Sequence, residues 1–149
     1  MYKIEFITSE NHSRRSVAFL VSSNERGSIK EAFDRLGRNS ELMLRSRFDA
    51  WVDGIVNKKW YHGWDQSEFQ GRYTSCFVFK CKEKRLQHRF YGFLCNPKIR
   101  NRGYQVCILV IHAKKNEWET YEADLRTVEE VRKMPIIQKA ISDYFGEKP

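Results

Sequence analysis

Three features of the sequence predict an α+β fold in which N-terminal helices pack on a small antiparallel β-meander and a C-terminal helix closes the chain. Alternating stretches at 74–82 and 86–94, followed by an apolar run at 106–111, read as consecutive strands. Amphipathic stretches with helical spacing lie on either side of them, at 40–56 and 135–145. The third feature is size. A chain of 149 residues buries roughly 68–70% of its unfolded surface, enough for one core without disulfides or a structural metal. The expectation is a single domain over 1–149, with 1–25 as an N-terminal extension carrying short strands and 40–141 as the core.

In chain order, Tyr2, Ile4 and Phe6 alternate with polar partners and predict a strand with one buried face, and 16–21 predicts a second. Ser28 with Glu31 makes a capping box, Ile29, Phe33 and Leu36 recur at helical spacing, and Gly37 stands where that helix should stop. Leu44, Phe48, Trp51, Val52 and Ile55 form one stripe of a second helix over 40–56. The stretch 57–72 carries Trp60, Tyr61, Trp64 and Phe69 without a period and reads as an ordered loop. In the strand 74–82, Phe77, Phe79 and Cys81 take one face while Val78, Lys80 and Lys82 take the other. After a charged turn at 83–85, the strand 86–94 puts Arg89 and Tyr91 on one face and His88 and Phe90 on the other, which completes a hairpin.

A basic, turn-rich loop at 96–103 leads to a strand over 104–114 that is apolar on both faces and therefore central. In the tail, Thr127 with Glu130 reads as an internal cap. Pro135 opens a last helix in which Ile137, Ala140, Ile141, Tyr144 and Phe145 share a face before Gly146. Helices are expected on one face of the sheet, leaving the other concave and polar.

Composition and charge narrow the function. With 41% hydrophobic residues, 3 Pro and 8 Gly, the chain is neither disordered nor of low complexity. Its apolar runs fall far short of the ~20 residues that cross a bilayer, and MYKIEFITSE lacks a signal peptide's apolar stretch, so no membrane partner is expected and the cytoplasm is the expected location. Cys76, Cys81, Cys95 and Cys107 form no CxxC pair, and the first two fall on opposite strand faces. They are expected to be buried reduced thiols, with no zinc, other metal or cofactor. His12 and His62 lack any partner pattern and are assigned no role.

The chain has 27 Lys and Arg against 19 Asp and Glu, a net charge of +8. Residues 80–102 hold eight of these cations against Glu83 alone, net +7, and Lys114 and Lys115 raise that to +9, so the remainder of the chain is close to neutral. Such concentration on strands points to a polyanionic partner. If the meander pairs simply, Lys80, Lys82, Arg89, Lys114 and Lys115 converge on one sheet face or its rim.

The basic strand CFVFKCK (76–82), the strand RFYGF (89–93), the strand ending in VIHAKK (110–115) and the helical tail stand in an order that resembles the RelE/ParE superfamily of small bacterial toxins. The resemblance is to its HigB-like, phage-associated branch and spans roughly Ser40 to Ile141. It implies a RelE-like fold and, as in RelE-like members, metal-independent cleavage of messenger RNA in the ribosomal decoding site by attack of a ribose 2′-hydroxyl on the adjacent phosphate. It also implies a type II toxin–antitoxin pair, with the ribosome, messenger RNA and a cognate antitoxin of helix-turn-helix type as partners.

Carried onto this sequence, the resemblance gives Lys80 and Lys82 the task of stabilising the phosphate, with a lysine depressed by its like-charged neighbours also able to act as base. Arg89 would clamp the phosphate, and Lys115 or His112 would donate a proton to the leaving oxygen. Tyr121 would stack on a base or help deprotonate the hydroxyl, with Trp118 as the alternative stacking aromatic. Lys84, Arg85, Tyr91, His112, Lys114 and Trp118 complete the implied RNA-binding set. The superfamily also holds ParE-like members that poison gyrase. The alternatives are therefore a gyrase-directed or non-catalytic nucleic-acid-binding protein, or an inactive phage remnant of the same fold.

Overall fold

The strand that is apolar on both faces lies in the interior of the sheet. In β6 (Gln105–Lys115), Val106 and Ile108 enter one core layer while Cys107 and Leu109 enter the other, and all four are fully buried. The computed structural model describes residues 2–9, 14–22, 29–97, 104–115 and 122–146. Around β6 it arranges β1 (Tyr2–Phe6), β2 (Arg15–Ser22), β3 (Tyr61–Gly63), β4 (Cys76–Glu83) and β5 (Leu86–Cys95) in the order β1-β2-β6-β5-β4-β3. The β3-β4-β5-β6 portion is antiparallel and so is β1-β2, but β2 runs parallel to β6, with Val17 opposite Cys107. The fold is α+β with a six-stranded mixed sheet.

The N-terminal stretch expected as an extension is thus built into the sheet. Residues 16–20 of β2 are buried, because a strand beside a central strand is covered on both faces. The parallel pairing is fastened by a buried polar chain in which the Tyr104 hydroxyl lies 3.0 Å from Ser16 Oγ, which itself donates to the Ser9 carbonyl at 2.7 Å.

Helices also cover both faces, contrary to the expectation of one open polar face. On one side α1 (Ile29–Asp34) and α2 (Arg38–Val52) bring Ile29, Phe33, Leu44, Phe48 and Trp51 onto Phe19, Phe77, Phe79, Phe90 and Leu109. On the other, α3 (Glu122–Lys133) and α4 (Pro135–Phe145) set Leu125, Val128, Ile137, Ile141 and Phe145 on Val78, Tyr91, Phe93, Val106 and Ile108. The physical reason lies in the strands: Cys76, Val78, Tyr91 and Phe93 make the second face apolar along most of its length, and apolar area of that extent is driven out of water. The outer end of the β4–β5 hairpin, beyond Val78, turns polar on that face.

Several boundaries moved for local reasons. α1 ends at Asp34, and Gly37 is the N-cap of α2 and not the stop of α1; Ser28 lies outside the described residues. α2 stops at Val52, where Asp53 and Gly54, the latter at φ 83°, turn the chain so that Ile55 leaves the helical stripe and is 52% exposed beside Val56. Thr127 sits inside α3, its hydroxyl donating to the Ala123 carbonyl, and caps nothing. Gly146 ends α4 in the left-handed conformation as expected.

The stretch 57–72, expected to be an ordered loop, contains the edge strand β3, which pairs only with Phe77–Phe79 of β4. Past that point α2 takes over the exposed edge: Arg47 Nη1 donates to the Lys80 carbonyl at 2.5 Å and Ser40 Oγ to the Lys82 carbonyl at 2.9 Å. Backbone acceptors that a longer β3 would have bonded are satisfied by side chains instead.

Between β5 and β6 the register slips by one residue at Tyr91/Gly92: Gly92 faces Leu109, but Tyr91 faces Ile111. Val110 is the extra residue of a β-bulge, and it reverses which β6 side chains face which layer from there to the strand end. The bulge requires Gly92, because a Cβ there would lie 2.1 Å from the Ile108 carbonyl oxygen and 2.8 Å from Leu109 Cα, both backbone atoms. Gly92→Ala is expected to cost about 3 kcal/mol. Urea unfolding of the purified variant checks this, and a midpoint equal to that of the native chain would refute the close approach.

Candidate nucleic-acid interface

On the β4 face that carries Val78, the next two outward positions are Lys80 and Lys82, and Arg89 of β5 lies directly opposite Lys80. Like charges opposite one another across a strand pair are destabilising, so this pairing has to be outweighed by the packing around it. Lys80 is half-buried. Burial first, and then the Arg89 guanidinium, hold its ammonium pKa below the ordinary lysine value. Lys82 is exposed, and among the described residues neither lysine is paired with a carboxylate.

Arg89 is fully buried. Its Nε donates to Gln87 Oε1 at 3.0 Å and its Nη1 to the Tyr91 hydroxyl at 3.3 Å. Tyr91 is itself fully buried and stacks on Trp64 with 6.4 Å between ring centroids. These two residues therefore stand beneath the face and not on its surface. Lys84 and Arg85 are exposed at the β4–β5 turn, where Lys84 takes a positive φ of 57°. Register places Lys115 opposite Gln87, in the row that contains Lys82. The Lys115 side chain, Trp118 and Tyr121 lie outside the described residues.

The same face includes His62 of β3, opposite Val78 and one row in from Lys80. Its Nδ1 is 3.0 Å from the Gly63 carbonyl, and its ring meets Trp64 at 4.8 Å. Burial is the main cause that keeps its pKa below the usual histidine value; Lys80 and Arg89 act the same way, against the Gly63 carbonyl and Glu68. His62 also lines a groove of about 650 Å³ that wraps over the edge strand, with Arg15, Trp51, Tyr61, Trp64 and Phe77 as floor and the exposed Ile55 and Val56 at its rim. No pattern in the sequence marks this residue, because a three-residue strand is too short for alternation to reveal a face.

His112 and Lys114 do not join this face. Past the bulge they pair with Phe90 and His88 and project toward α1. The expectation that Lys114 converges with Lys80, Lys82 and Arg89 is therefore corrected, and the reason is strand alternation read through the β6 bulge. There His88 Nδ1 and His112 Nε2 share a hydrogen bond of 2.9 Å with the rings stacked, and His88 Nε2 is buried without a hydrogen-bond partner among the described residues. Glu31, Arg35, Glu83 and Lys114 surround the pair in a recess of about 300 Å³, and the Gly37 N–H, donating to Glu83 at 2.7 Å, holds that carboxyl below the usual range.

Among the described residues, no set of three or more His, Cys, Asp and Glu side chains is placed to hold a metal ion, and no helix is long and apolar enough to cross a membrane. The four cysteines are free, and burial pushes the Cys76 thiol up to about 12 and the Cys81 thiol up to about 11. No protein-family model matches the chain, and no curated protein or solved structure matches it either.

The histidine pair generates a pH dependence. Burial, then His88 and Lys114, push His112 down to about 4, and burial also lowers His88. The unfolded chain, with histidine near 6.5, takes up protons that the folded chain refuses. Stability is therefore full above pH 6.5 and falls as the pH drops from 6.5 toward 4, by about 2 kcal/mol for His112 after allowance for its partial solvent access. Denaturant midpoints measured across this window should show the decline, and His112→Gln should flatten it; an unchanged slope in that variant would refute the assignment.

Proposed function

We propose that the protein is an RNA-directed toxin of RelE-like, HigB-like kind, acting as a ribosome-dependent messenger RNA endoribonuclease through the Lys80–Lys82 end of its sheet. One observation carries this reading: two lysines without carboxylate partners among the described residues stand on one strand face, with a third, buried cation directly opposite the first on the neighbouring strand. Such an arrangement raises a local positive potential that a phosphodiester is suited to neutralise, and the penalty of the Lys80–Arg89 repulsion is relieved when an anion arrives. Lys84 and Arg85 at the adjoining turn would extend the contact along the backbone of a strand. An antitoxin of helix-turn-helix type would silence the protein by presenting acidic side chains to the same face.

The burial of Arg89 and Tyr91 favours a second reading, a non-catalytic nucleic-acid-binding or gyrase-directed protein, since the residue expected to clamp the phosphate and one of those expected to bind RNA are not at the surface. Induced expression in a bacterial host, with primer-extension mapping of a messenger RNA, separates the two. Growth arrest with codon-phased cuts supports the nuclease; arrest without cuts moves the target to gyrase or to binding alone; no arrest leaves an inert remnant of the fold. In a binding assay with short single-stranded RNA, Lys80→Ala with Lys82→Ala should lower the slope of log K against log salt by about 1.4, roughly 0.7 for each phosphate that is no longer neutralised. An unchanged slope would place the phosphates elsewhere.

A further inference from the structure

His62 belongs to no pattern in the sequence, yet the fold sets it between the two features a nuclease site needs. On one side is the Lys80–Arg89 pair, one row along the same sheet face. On the other is the groove of about 650 Å³ over the sheet edge, wide enough for a nucleoside and floored by Trp51, Tyr61 and Trp64. The ring is held in a defined state. Nδ1 lies 3.0 Å from the Gly63 carbonyl, an acceptor only, so Nδ1 carries the proton and donates. In the neutral ring Nε2 is then a bare lone pair. It has no hydrogen-bond partner among the described residues and is not sealed from solvent, unlike His88 Nε2.

We infer that His62 is the general base of this face, its Nε2 accepting the 2′-hydroxyl proton of a ribonucleotide whose 3′-phosphate rests against Lys80 and Lys82. The inference rests on the nuclease reading above and supplies the group which that reading leaves open. The 2′-O–H proton passes to Nε2 and the 2′-oxygen forms a bond to phosphorus. The P–O5′ bond breaks, and the departing 5′-oxygen takes a proton from the Lys80 ammonium, leaving a 2′,3′-cyclic phosphate and a 5′-hydroxyl end. The imidazolium then returns its proton to solvent and the lysine regains one. Burial above all, with Lys80 and Arg89, lowers the imidazole pKa against the opposing Gly63 hydrogen bond and Glu68, so the ring is neutral near pH 7, and burial of Lys80 likewise makes its ammonium a readier proton donor. Asp65 and Lys58, at the rim of the groove, are the other charged groups that border it besides Arg15.

The test is single-turnover cleavage of messenger RNA on programmed ribosomes, comparing the full native chain with His62→Gln between pH 5 and 8. The variant should cut at least about 10²-fold more slowly and should lose the fall in rate on the acid side. Its affinity for short single-stranded RNA should stay within about twofold of the native value, and its circular dichroism should be unchanged. Equal rates and equal pH profiles for the two chains would overturn the role of His62 and leave the nuclease reading standing; absence of cuts by the native chain would overturn both. A readout that needs no activity is the imidazole tautomer. Long-range 1H–15N correlation spectra of the native chain should show His62 protonated at Nδ1 near pH 7, and protonation at Nε2 would overturn the inference whatever the cleavage assay gave.

Discussion

The arrangement of charge on this protein depends on one close approach, that of Gly92 to the Ile108 carbonyl at the bulge between β5 and β6. Side chains along a strand alternate with a period of two, so inserting a single residue exchanges the faces of everything beyond it. With Val110 as the inserted residue, Ala113 lies opposite Arg89, and Lys115 falls in the row of Gln87 and Lys82. Without it, His112 would oppose Arg89 and Lys114 would oppose Gln87. The bulge thus divides the basic end of the sheet into a lysine face toward the α3 side and a histidine pair toward α1. Only a residue without a Cβ lets the backbones come that near.

Two apolar layers hold the sheet rigid enough for such distinctions to persist. Phe33, Phe48, Phe79, Phe90 and Trp51 interlock on the α1–α2 side, with Phe48 edge-on to Phe79 at 4.8 Å between centroids. On the α3–α4 side the buried Glu129, paired within the helix with Arg132 at 2.6 and 3.0 Å, accepts from the Cys76 thiol at 3.7 Å, and Glu122 accepts from the Tyr73 hydroxyl at 2.6 Å, so α3 is tied at two points of its length. The burial of aromatic rings provides most of the favourable free energy, while the polar ties fix where the helices sit. A fully buried guanidinium and a half-buried ammonium side by side run against that pattern. Positions of that sort, where local chemistry opposes stability, are where a ligand or substrate is to be sought.

The lysine face and the histidine pair draw on the same two strands but differ in electrostatic character. Lys80 and Lys82 have no carboxylate partner among the described residues, so their field reaches outward to an anion. His88 and His112 hold one another and are bordered by Glu31 and Glu83 as well as by Arg35 and Lys114, so the recess carries both signs and offers an anion little. This is why the phosphate-binding reading attaches to one face of the hairpin and not to its whole basic end.

The sequence by itself determined most of the elements and, within each strand, which side chains share a face. Phe77, Phe79 and Cys81 against Val78, Lys80 and Lys82, and Arg89 with Tyr91 against His88 with Phe90, are local consequences of a two-residue period that no tertiary contact altered. It also located the charge. The tertiary structure alone decided how the strands stand relative to one another. The parallel docking of β2 on β6, the second layer of helices, the β6 bulge and the three-residue β3 all arise from pairings between segments far apart in the chain. Periodicity within one segment carries no information about a partner's register or about a face that a distant helix covers. Hence Lys80 and Lys82 were legible as neighbours, whereas the departure of His112 and Lys114 and the arrival of His62 were not.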